Sequence, residues 1–300
     1  MFEEGQLYAP ITQGADGAVE VQLAQDHPGV GDPVYRARRN TIAELALAWT
    51  PGEAAPHANY TDAEHDVWRQ VCRELGVLHQ KYACEEFRTG VERLGLPADH
   101  IPQLDEVTAA VEPLTGFRYV PAAGLVPLRD FYGALADGFF YSTQYIRHHS
   151  VPLYTPEPDV IHEVVGHANC LASDRFARLY RAAGGAARRV DTQRALEFVS
   201  KVFWFSLEFG VLREFGQVRT YGAGLLSSYG EIQEISRADL RPLEIARMGV
   251  QTYDITHYQP LLFCAEGFGQ VEDVVGAFFN VVDDDLVDSL SVPEPGSLSL

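Results

Sequence analysis

Two histidines that stand five residues apart, with an acid next to the first, are the side chains best suited to metal chemistry. They are His162 and His167, and the acid is Glu163. Helices of zinc proteases carry their two histidine ligands four residues apart, which places both on one face. Five steps along a regular α-helix put two side chains about 140° apart. The pair can therefore hold one metal ion only if the helix ends or bends between them, and Gly166 stands where this could happen.

A two-histidine site needs a third protein ligand, and the best acid for this role is Glu208. It lies 41 positions after His167, inside the apolar run 203–212. A carboxylate in such a run is costly to bury unless it is paired or bound to a cation. Two imidazoles and one carboxylate form the facial triad of non-haem Fe(II) oxygenases. The spacing alone equally allows two ordinary, partly buried histidines and an exposed helix acid.

One arginine, Arg147, stands in the aromatic-rich stretch 139–149, shortly before the histidine pair. A guanidinium can bind a substrate carboxylate through two parallel hydrogen bonds. Arg147 can also pair with Asp159, which together with Pro158 marks the start of the histidine helix. The two roles are compatible, so the sequence leaves both open.

The elements that must position these side chains are mostly helical. Thr61 and Glu64 form a capping box before a helix at 62–80, whose apolar residues recur at helical spacing. The pattern also predicts helices at 83–94, 103–111, 128–137, 174–187, 192–214 and 270–279, an edge strand at 19–23 and a strand at 257–264. The small residues of 221–231 do not form a P-loop, and they indicate close approach of backbone to a ligand or to the histidine helix.

The composition indicates a globular protein that does not bind polyanions. The chain has 300 residues, 46% of them hydrophobic, and a formal net charge of −19. This charge argues against nucleic acid and anionic membranes as partners, and the basic cluster at 36–39 is expected to pair with the protein's own acids. Four scattered cysteines predict no disulfide framework, and the absence of a signal peptide or a long apolar run favours a cytoplasmic location.

The domain organisation follows from the same composition. Residues 1–26 are rich in glycine and acids, and we expect them to be loosely ordered. Residues 27–282 are expected to form a single domain. Three consecutive aspartates followed by a segment rich in serine and proline predict a disordered acidic tail at 283–300.

Seven segments, taken in order, resemble the pterin-dependent aromatic amino-acid hydroxylases, especially members that act on phenylalanine. They span roughly residues 27–280, and they are 32–39, 101–104, 143–148, 154–159, 162–167, 204–210 and 221–230. The resemblance implies a catalytic domain that is mainly α-helical (α+β with a few short strands). It also implies a monooxygenase that uses Fe(II), a tetrahydropterin and O2 to hydroxylate the ring of free L-phenylalanine.

The family pattern, carried over residue by residue, implies roles for the site residues. His162, His167 and Glu208 would hold the iron, and Glu163 would lie near the pterin through water. The remaining pterin residues would be Gly124, Leu125, Val126, Leu128, Phe131, whose ring would stack on the pterin, and Phe203. Arg147, supported by Asp159, would bind the substrate carboxylate. The other substrate residues would be Thr155, Gly224 and Ser227 for polar contacts, Pro158, His162 and Trp204 around the ring, and the buried acid Glu231.

Differences within the family favour phenylalanine. Trp204 is Phe in members that use tryptophan, and Ile255 stands where tyrosine hydroxylases have an acid. Tyr141, Phe203 and the residues after His167 depart from the family pattern, so para or meta hydroxylation and the type of pterin stay open. The chain has no room for the regulatory domain of animal members, and its acidic tail is unlike their tetramerisation segment. We therefore expect a bacterial-type, catalytic-domain-only monomer.

Three other functions compete with this prediction. A tryptophan hydroxylase of the same family is the second choice for the substrate. A non-catalytic amino-acid-sensing module could keep the fold and the metal site without turnover. A zinc hydrolase is disfavoured, because it would need two histidines four residues apart.

Overall fold

A computed structural model describes residues 10–14, 18–124, 126–255 and 257–291. Helices dominate it. The longer ones are α1 Pro33–Ala48, α2 Asp62–Tyr82, α3 Glu85–Leu94, α4 Leu104–Thr115, α5 Leu128–Ala136, α7 Asp174–Arg189 and α8 Gln193–Phe203. The shorter ones are α6 Asn169–Leu171, α9 Ala223–Ser227, α10 Ile245–Met248, α11 Phe268–Gln270, α12 Ala277–Val281 and α13 Asp284–Leu290. The predicted mainly helical fold is confirmed.

Three further segments are wound as π-helices, in which each N–H bonds to the carbonyl five residues back. They are π1 His162–Ala168, π2 Trp204–Glu208 and π3 Val271–Gly276. The first runs directly into α6 and the second continues α8. Both of these segments therefore lie where the sequence places metal ligands.

The strands are short and form three small sheets. They are β1 Ile11–Gln13, β2 Val19–Val21, β3 Arg118–Pro121, β4 Phe139–Ser142, β5 Val211–Glu214, β6 Gln217–Thr220, β7 Asp239–Pro242 and β8 Leu261–Ala265. β1 pairs with β2 antiparallel, and β3 pairs with β4 in parallel. The largest sheet has the order β6-β5-β8-β7, in which only the β5–β6 pair is antiparallel.

One large core of buried apolar side chains extends from Val67 to Val287 and surrounds π1 and π2. Helix α2 joins this core through its predicted apolar face, and the capping box of Thr61 and Glu64 is present. No helix among the described ranges is both long and apolar enough to cross a membrane.

The predicted basic cluster pairs with the protein's own acids, as expected. It lies on α1, where Arg36 contacts Glu20 at 2.6 Å and Arg38 contacts Glu64 at 2.9 Å. Arg39 differs, because it is buried and reaches Glu157 at 2.5 Å.

Two predicted elements have different bounds in the structure. The helix expected at 192–214 ends with Glu208, and β5 begins at Val211 because this segment pairs with both β6 and β8. The strand expected at 257–264 begins only at Leu261. The local sequence pattern does not show that β5 pairs with β6 and β8.

The ends of the chain show more structure than we expected. In the predicted acidic tail, Asp283 caps α13, whose Val287 is buried. Asp284 accepts hydrogen bonds from the backbone N–H groups of Asp191 and Thr192 at 2.8 and 2.9 Å. Residues 284–290 are therefore a docked helix, whereas 292–300 lie outside the described residues. In the first 26 residues, β2 confirms part of the predicted edge strand.

Candidate metal centre and active-site cavity

The two histidines of π1 meet although they are five residues apart. Because a π-helix stacks residues five apart on one face, His162 Nε2 and His167 Nε2 lie 2.9 Å from each other. We expected the helix to end or bend between the two histidines, and this expectation was wrong. The backbone widens by one residue per turn instead, and the helix continues past Gly166 into α6.

Glu208 at the end of π2 completes the group. Its Oε1 lies 3.1 Å from His167 Nε2, and its Oε2 lies 3.7 Å from His162 Nε2. Glu163 is the other acid beside the pair, with ligand atoms up to 4.8 Å apart. Glu208 has one oxygen within 3.7 Å of each imidazole, as the third ligand of a shared ion would. Metal–nitrogen bonds of about 2.1 Å place neighbouring ligand atoms about 3 Å apart, so these three side chains fit one ion.

The outer nitrogen of each imidazole is held by a hydroxyl group. His162 Nδ1 lies 2.9 Å from Ser227 Oγ, and His167 Nδ1 lies 2.8 Å from Tyr180 OH. Ser227 Oγ also donates to the carbonyl of Ala223 at 2.8 Å, so it accepts from the Nδ1–H of His162. The Nε2 lone pair of His162 is then free to bind a metal ion.

The charge states of the ligands also suit a cation. Burial, and after it the neighbouring His167, lowers the pKa of His162 to about 4, so this imidazole is neutral at pH 7. Burial alone would raise the pKa of Glu208, but the nearby His167 and His162 outweigh it and hold the pKa below its ordinary value. Two imidazoles and one carboxylate are the donor set that non-haem iron prefers.

Small residues let the segment after β6 pack against both π-helices, as predicted. A Cβ at Gly166 would lie 2.9 Å from the carbonyl oxygen of Ala223 in α9. A Cβ at Gly222 would lie 2.3 Å from the carbonyl oxygen of Glu208. Real Cβ atoms do not come this close, so glycine is required at both positions. This contact places Ser227 beside His162.

Arg147 and Asp159 form a buried two-point ion pair. Nε and Nη2 of Arg147 each donate to one carboxylate oxygen of Asp159 at 2.8 Å. Asp159 also accepts from the backbone N–H of His162 at 3.2 Å. Burial would raise the pKa of Asp159, but Arg147 reverses the effect and keeps it below its ordinary value. The pair therefore ties the arginine to the start of the metal helix.

A cavity of about 150 Å³ lies next to the metal ligands. Its lining includes the predicted substrate residues Arg147, Thr155, Pro158, His162, Trp204, Gly224, Ser227 and Glu231, together with Phe131 and Ile255. Asp159 is fully buried and is not part of the lining. Trp204 stacks on Tyr253 with ring centroids 4.2 Å apart and contacts Phe209 at 4.4 Å. The cavity thus combines a cationic end with an aromatic wall.

The cavity contains one carboxylate with no cationic partner among the described residues. Glu157 is paired with Arg39, and Glu208 belongs to the metal group. Within the described part of the chain, the backbone N–H of Gln259 is the one donor to Glu231, at 2.7 Å to its Oε1. Burial raises the pKa of Glu231 to about 7. It is therefore poised to bind a cation.

The predicted pterin residues are not all gathered at this cavity. Phe131 lines it, and its ring contacts Phe140, which in turn contacts the ring of His167. Phe203 is fully buried between Tyr132 and Tyr180. Val126 lines a separate open groove, Gly124 and Glu163 are buried, Leu128 begins α5, and Leu125 lies outside the described residues.

Sequence reasoning missed Tyr180 and Phe209. Tyr180 stands thirteen residues after His167 on another helix, so no local pattern connects the two. Phe209 directly follows a metal ligand and lies within one of the resembling segments, so its position could have identified it.

A family profile described as biopterin-dependent aromatic amino acid hydroxylase matches residues 16–287. Phenylalanine 3-hydroxylase of Streptomyces coeruleorubidus is 48% identical over 264 residues, which cover 88% of this chain and 95% of that protein. Phenylalanine-4-hydroxylase of Bos taurus is 41% identical over 263 residues, which cover 86% of this chain and 58% of that protein. The chain thus spans little more than half of the mammalian relative.

A solved structure shares the fold. Phenylalanine hydroxylase of Chromobacterium violaceum, with bound iron(III) and 7,8-dihydrobiopterin, superposes with a TM-score of 0.72 at 26% identity. The superposition covers 79% of this chain and 90% of that one.

Proposed function

The chain belongs to the biopterin-dependent aromatic amino acid hydroxylases, and from this membership we propose that it hydroxylates the ring of free L-phenylalanine. The family predicted from the residues is confirmed. Because the Streptomyces 3-hydroxylase is more similar to this chain than the bovine 4-hydroxylase, we propose position 3 of the ring as the site of hydroxylation.

One observation carries the proposal: three metal-binding side chains converge beside a cavity that also contains an arginine and an aromatic wall. His162, His167 and Glu208 would hold Fe(II) and leave positions open for other ligands. When bound, Fe(II) and a tetrahydropterin supply the activation of O2 for ring hydroxylation. Phe131 offers the aromatic face on which the pterin would stack, and Gly124, Leu125, Val126, Leu128, Glu163 and Phe203 remain proposed pterin residues.

The amino-acid head would be held at both of its charges. Arg147 uses Nε and Nη2 for Asp159, and its Nη1 has no acceptor among the described residues. This nitrogen would bind the substrate carboxylate. Glu231 is the cavity carboxylate without a cationic partner, so it would bind the ammonium group. The hydroxyl of Thr155 donates to the carbonyl of Glu157 at 2.8 Å and accepts the N–H of Glu157 at 3.4 Å, which leaves one lone pair for the same ammonium.

The aromatic ring would lie against Trp204 and Pro158. Trp204 cannot turn away, because its indole is held between Tyr253 and Phe209. A rigid apolar wall excludes water from the reacting carbon and keeps the ring in one position. Trp204 also narrows the cavity, which favours phenylalanine over tryptophan.

The decisive experiment is reconstitution with Fe(II), followed by addition of O2, tetrahydrobiopterin and phenylalanine, tyrosine or tryptophan in turn. Mass spectrometry and NMR identify the product. 3-Hydroxyphenylalanine confirms the proposal, and tyrosine corrects the ring position. Hydroxytryptophan as the main product would reassign the substrate. No product from any amino acid, with iron bound, would support the sensing module instead.

A variant tests the carboxylate site separately. Arg147→Lys keeps the charge beside Asp159 but loses the two-point geometry. We expect KM for phenylalanine to rise about 10- to 100-fold, the equivalent of one charge-assisted hydrogen bond, while iron stays bound. The matched control is Arg118→Lys, because Arg118 is exposed and pairs with Glu112. An unchanged KM in Arg147→Lys would contradict the assignment.

We further propose a cytoplasmic location, which the four free cysteines support. We also propose that the protein is a monomer and does not bind nucleic acid, for which the net charge of −19 is the support. Light scattering of the purified protein and its retention on heparin test these two points.

A further inference from the structure

A second group of possible metal ligands lies apart from the iron site. It consists of Asp32, His148 and His149, whose nearest ligand atoms all lie within 4.8 Å of one another. None of these side chains lines the active-site cavity. We call this group the surface His–Asp cluster.

Two of its members are already held in position for a shared ion. Asp32 caps α1 through Oδ1, which accepts from the N–H groups of Val34 and Tyr35 at 2.8 and 3.1 Å. Its other oxygen, Oδ2, lies 3.3 Å from His148 Nε2. Two ligands on one ion, each with a bond of about 2.1 Å, are separated by about this distance.

Both ring nitrogens of His148 have partners. Its Nδ1 lies 2.7 Å from Ser150 Oγ and accepts the backbone N–H of Ser150 at 3.3 Å, so its Nε2 carries the proton that faces Asp32. An ion bound at Nε2 would replace this proton, and Nδ1 would then donate to Ser150 Oγ. The ring is held edge-on by Tyr35 at 5.0 Å.

His149, the third member, exposes the cluster to solvent. His149 is exposed, and its ring centroid lies 4.3 Å from that of the buried His148. An exposed imidazole can turn by a side-chain rotation to bring its nitrogen to an ion held by the other two. The strongly acidic protein attracts cations to its surface in general.

We propose that Asp32, His148 and His149 bind a second divalent transition-metal ion, of the zinc, cobalt and nickel class. Two imidazoles and one carboxylate select such ions over magnesium and calcium, which prefer oxygen ligands alone. The ion would join the start of α1 to the segment that carries Arg147, two regions 116 residues apart in sequence. It would be a structural clamp, separate from the iron that serves the reaction.

The test is the zinc stoichiometry of the full chain. Metal-free protein is dialysed against micromolar Zn(II), and bound zinc is measured by atomic emission, with Zn(II) acting as the probe for both sites. We expect two equivalents for the parent and one for His149→Ala, which is fold-neutral because the side chain is exposed. His162→Ala should retain the equivalent in the surface His–Asp cluster, and the double variant should bind none.

A matched control excludes a general effect of histidine removal. His57 is also exposed and also pairs with a carboxylate, Asp105, at 2.7 Å, but it has no second histidine. His57→Ala should keep two equivalents. One equivalent in the parent, or two in His149→Ala, would overturn the proposal. A cobalt(II) spectrum of His162→Ala gives a second readout, since bands absent from the double variant must come from the surface His–Asp cluster.

Discussion

Replacing Glu231 by glutamine should make the protein more stable and its substrate binding weaker. The folded protein raises the pKa of this carboxyl group from 4.5 to about 7, because it is buried without a cationic partner. Glutamine keeps an oxygen for the N–H of Gln259 but cannot ionise. The variant thus removes the cost of a buried charge and also the anion that would bind the substrate ammonium group.

The sign and size of the stability effect follow from the two pKa values. A carboxyl group whose pKa is raised in the folded protein binds its proton more tightly there than in the unfolded chain. Proton binding to Glu231 therefore stabilises the fold fully below pH 4.5. This contribution is lost as pH rises through about 7. The difference of 7 minus 4.5, at about 1.4 kcal/mol per pH unit, gives an upper limit of about 3 kcal/mol at pH 8. For a domain of this size the melting temperature of Glu231→Gln should rise by roughly 6 °C at pH 8.

The assay is thermal unfolding of the metal-free protein without substrate at pH 5 and pH 8. The melting temperature of Glu231→Gln should be higher than that of the parent at pH 8 and equal to it near pH 5. Glu234→Gln is the control, because Glu234 is part of an exposed pair with Arg237 and should show little change at either pH. Equal melting temperatures of Glu231→Gln and the parent at pH 8 would refute the reasoning that Glu231 is a buried, uncompensated acid.

Substrate binding provides the second half of this prediction. Calorimetry at pH 8 should show phenylalanine binding to Glu231→Gln about 10- to 100-fold more weakly, through loss of one charge-assisted hydrogen bond. In the parent, binding should weaken as pH falls below about 7, because the protonated carboxyl group no longer attracts the ammonium. Tyr258 lines the same cavity, and burial raises the pKa of its hydroxyl above the ordinary value of 10, so it stays neutral between pH 5 and 8. If binding improves on acidification, the ammonium group lies elsewhere.

Three further variants probe the supports of the site. Gly166→Ala should destabilise the fold by about 1–3 kcal/mol in denaturant titration, because the new methyl group meets a carbonyl oxygen 2.9 Å away; unchanged stability would show that the contact can relax. Asp159→Asn should lower the free energy of unfolding by about 3–5 kcal/mol and raise KM for phenylalanine, since it leaves the buried Arg147 without its charge partner. A KM equal to that of the parent would show that Asp159 does not support Arg147. Tyr180→Phe keeps the ring but removes the hydroxyl at His167, so iron affinity measured by chelator competition should fall 10- to 100-fold; parental affinity would show that packing alone orients the imidazole.

Much of the site was predictable because its chemistry depends on residue types. A carboxylate such as Glu208 inside an apolar run needs a cation, and an arginine such as Arg147 before a histidine helix suits an acidic head group. These arguments concern the cost of burying charge, which does not depend on knowing the fold. The capping box at Thr61 was equally local, and α2 begins there as predicted.

The histidine spacing shows where such reasoning stops. His162 and His167 are suited to one metal by type, but an α-helix would have separated them. The segment is wound as a π-helix, and it packs through Gly166 against α9, more than fifty residues later in the chain. A local pattern cannot report that contact.

The amino-acid sequence by itself indicated the family, through seven resembling segments, and the mainly helical fold, through short-range patterns. It also predicted the metal ligands and the arginine from residue type. Only the tertiary structure decided that π-winding unites the histidines, that Ser227 and Tyr180 hold them, that Phe203 packs away from the cavity, and that α13 docks on the domain. These outcomes rest on contacts between distant segments, and such contacts exist only once the chain has folded.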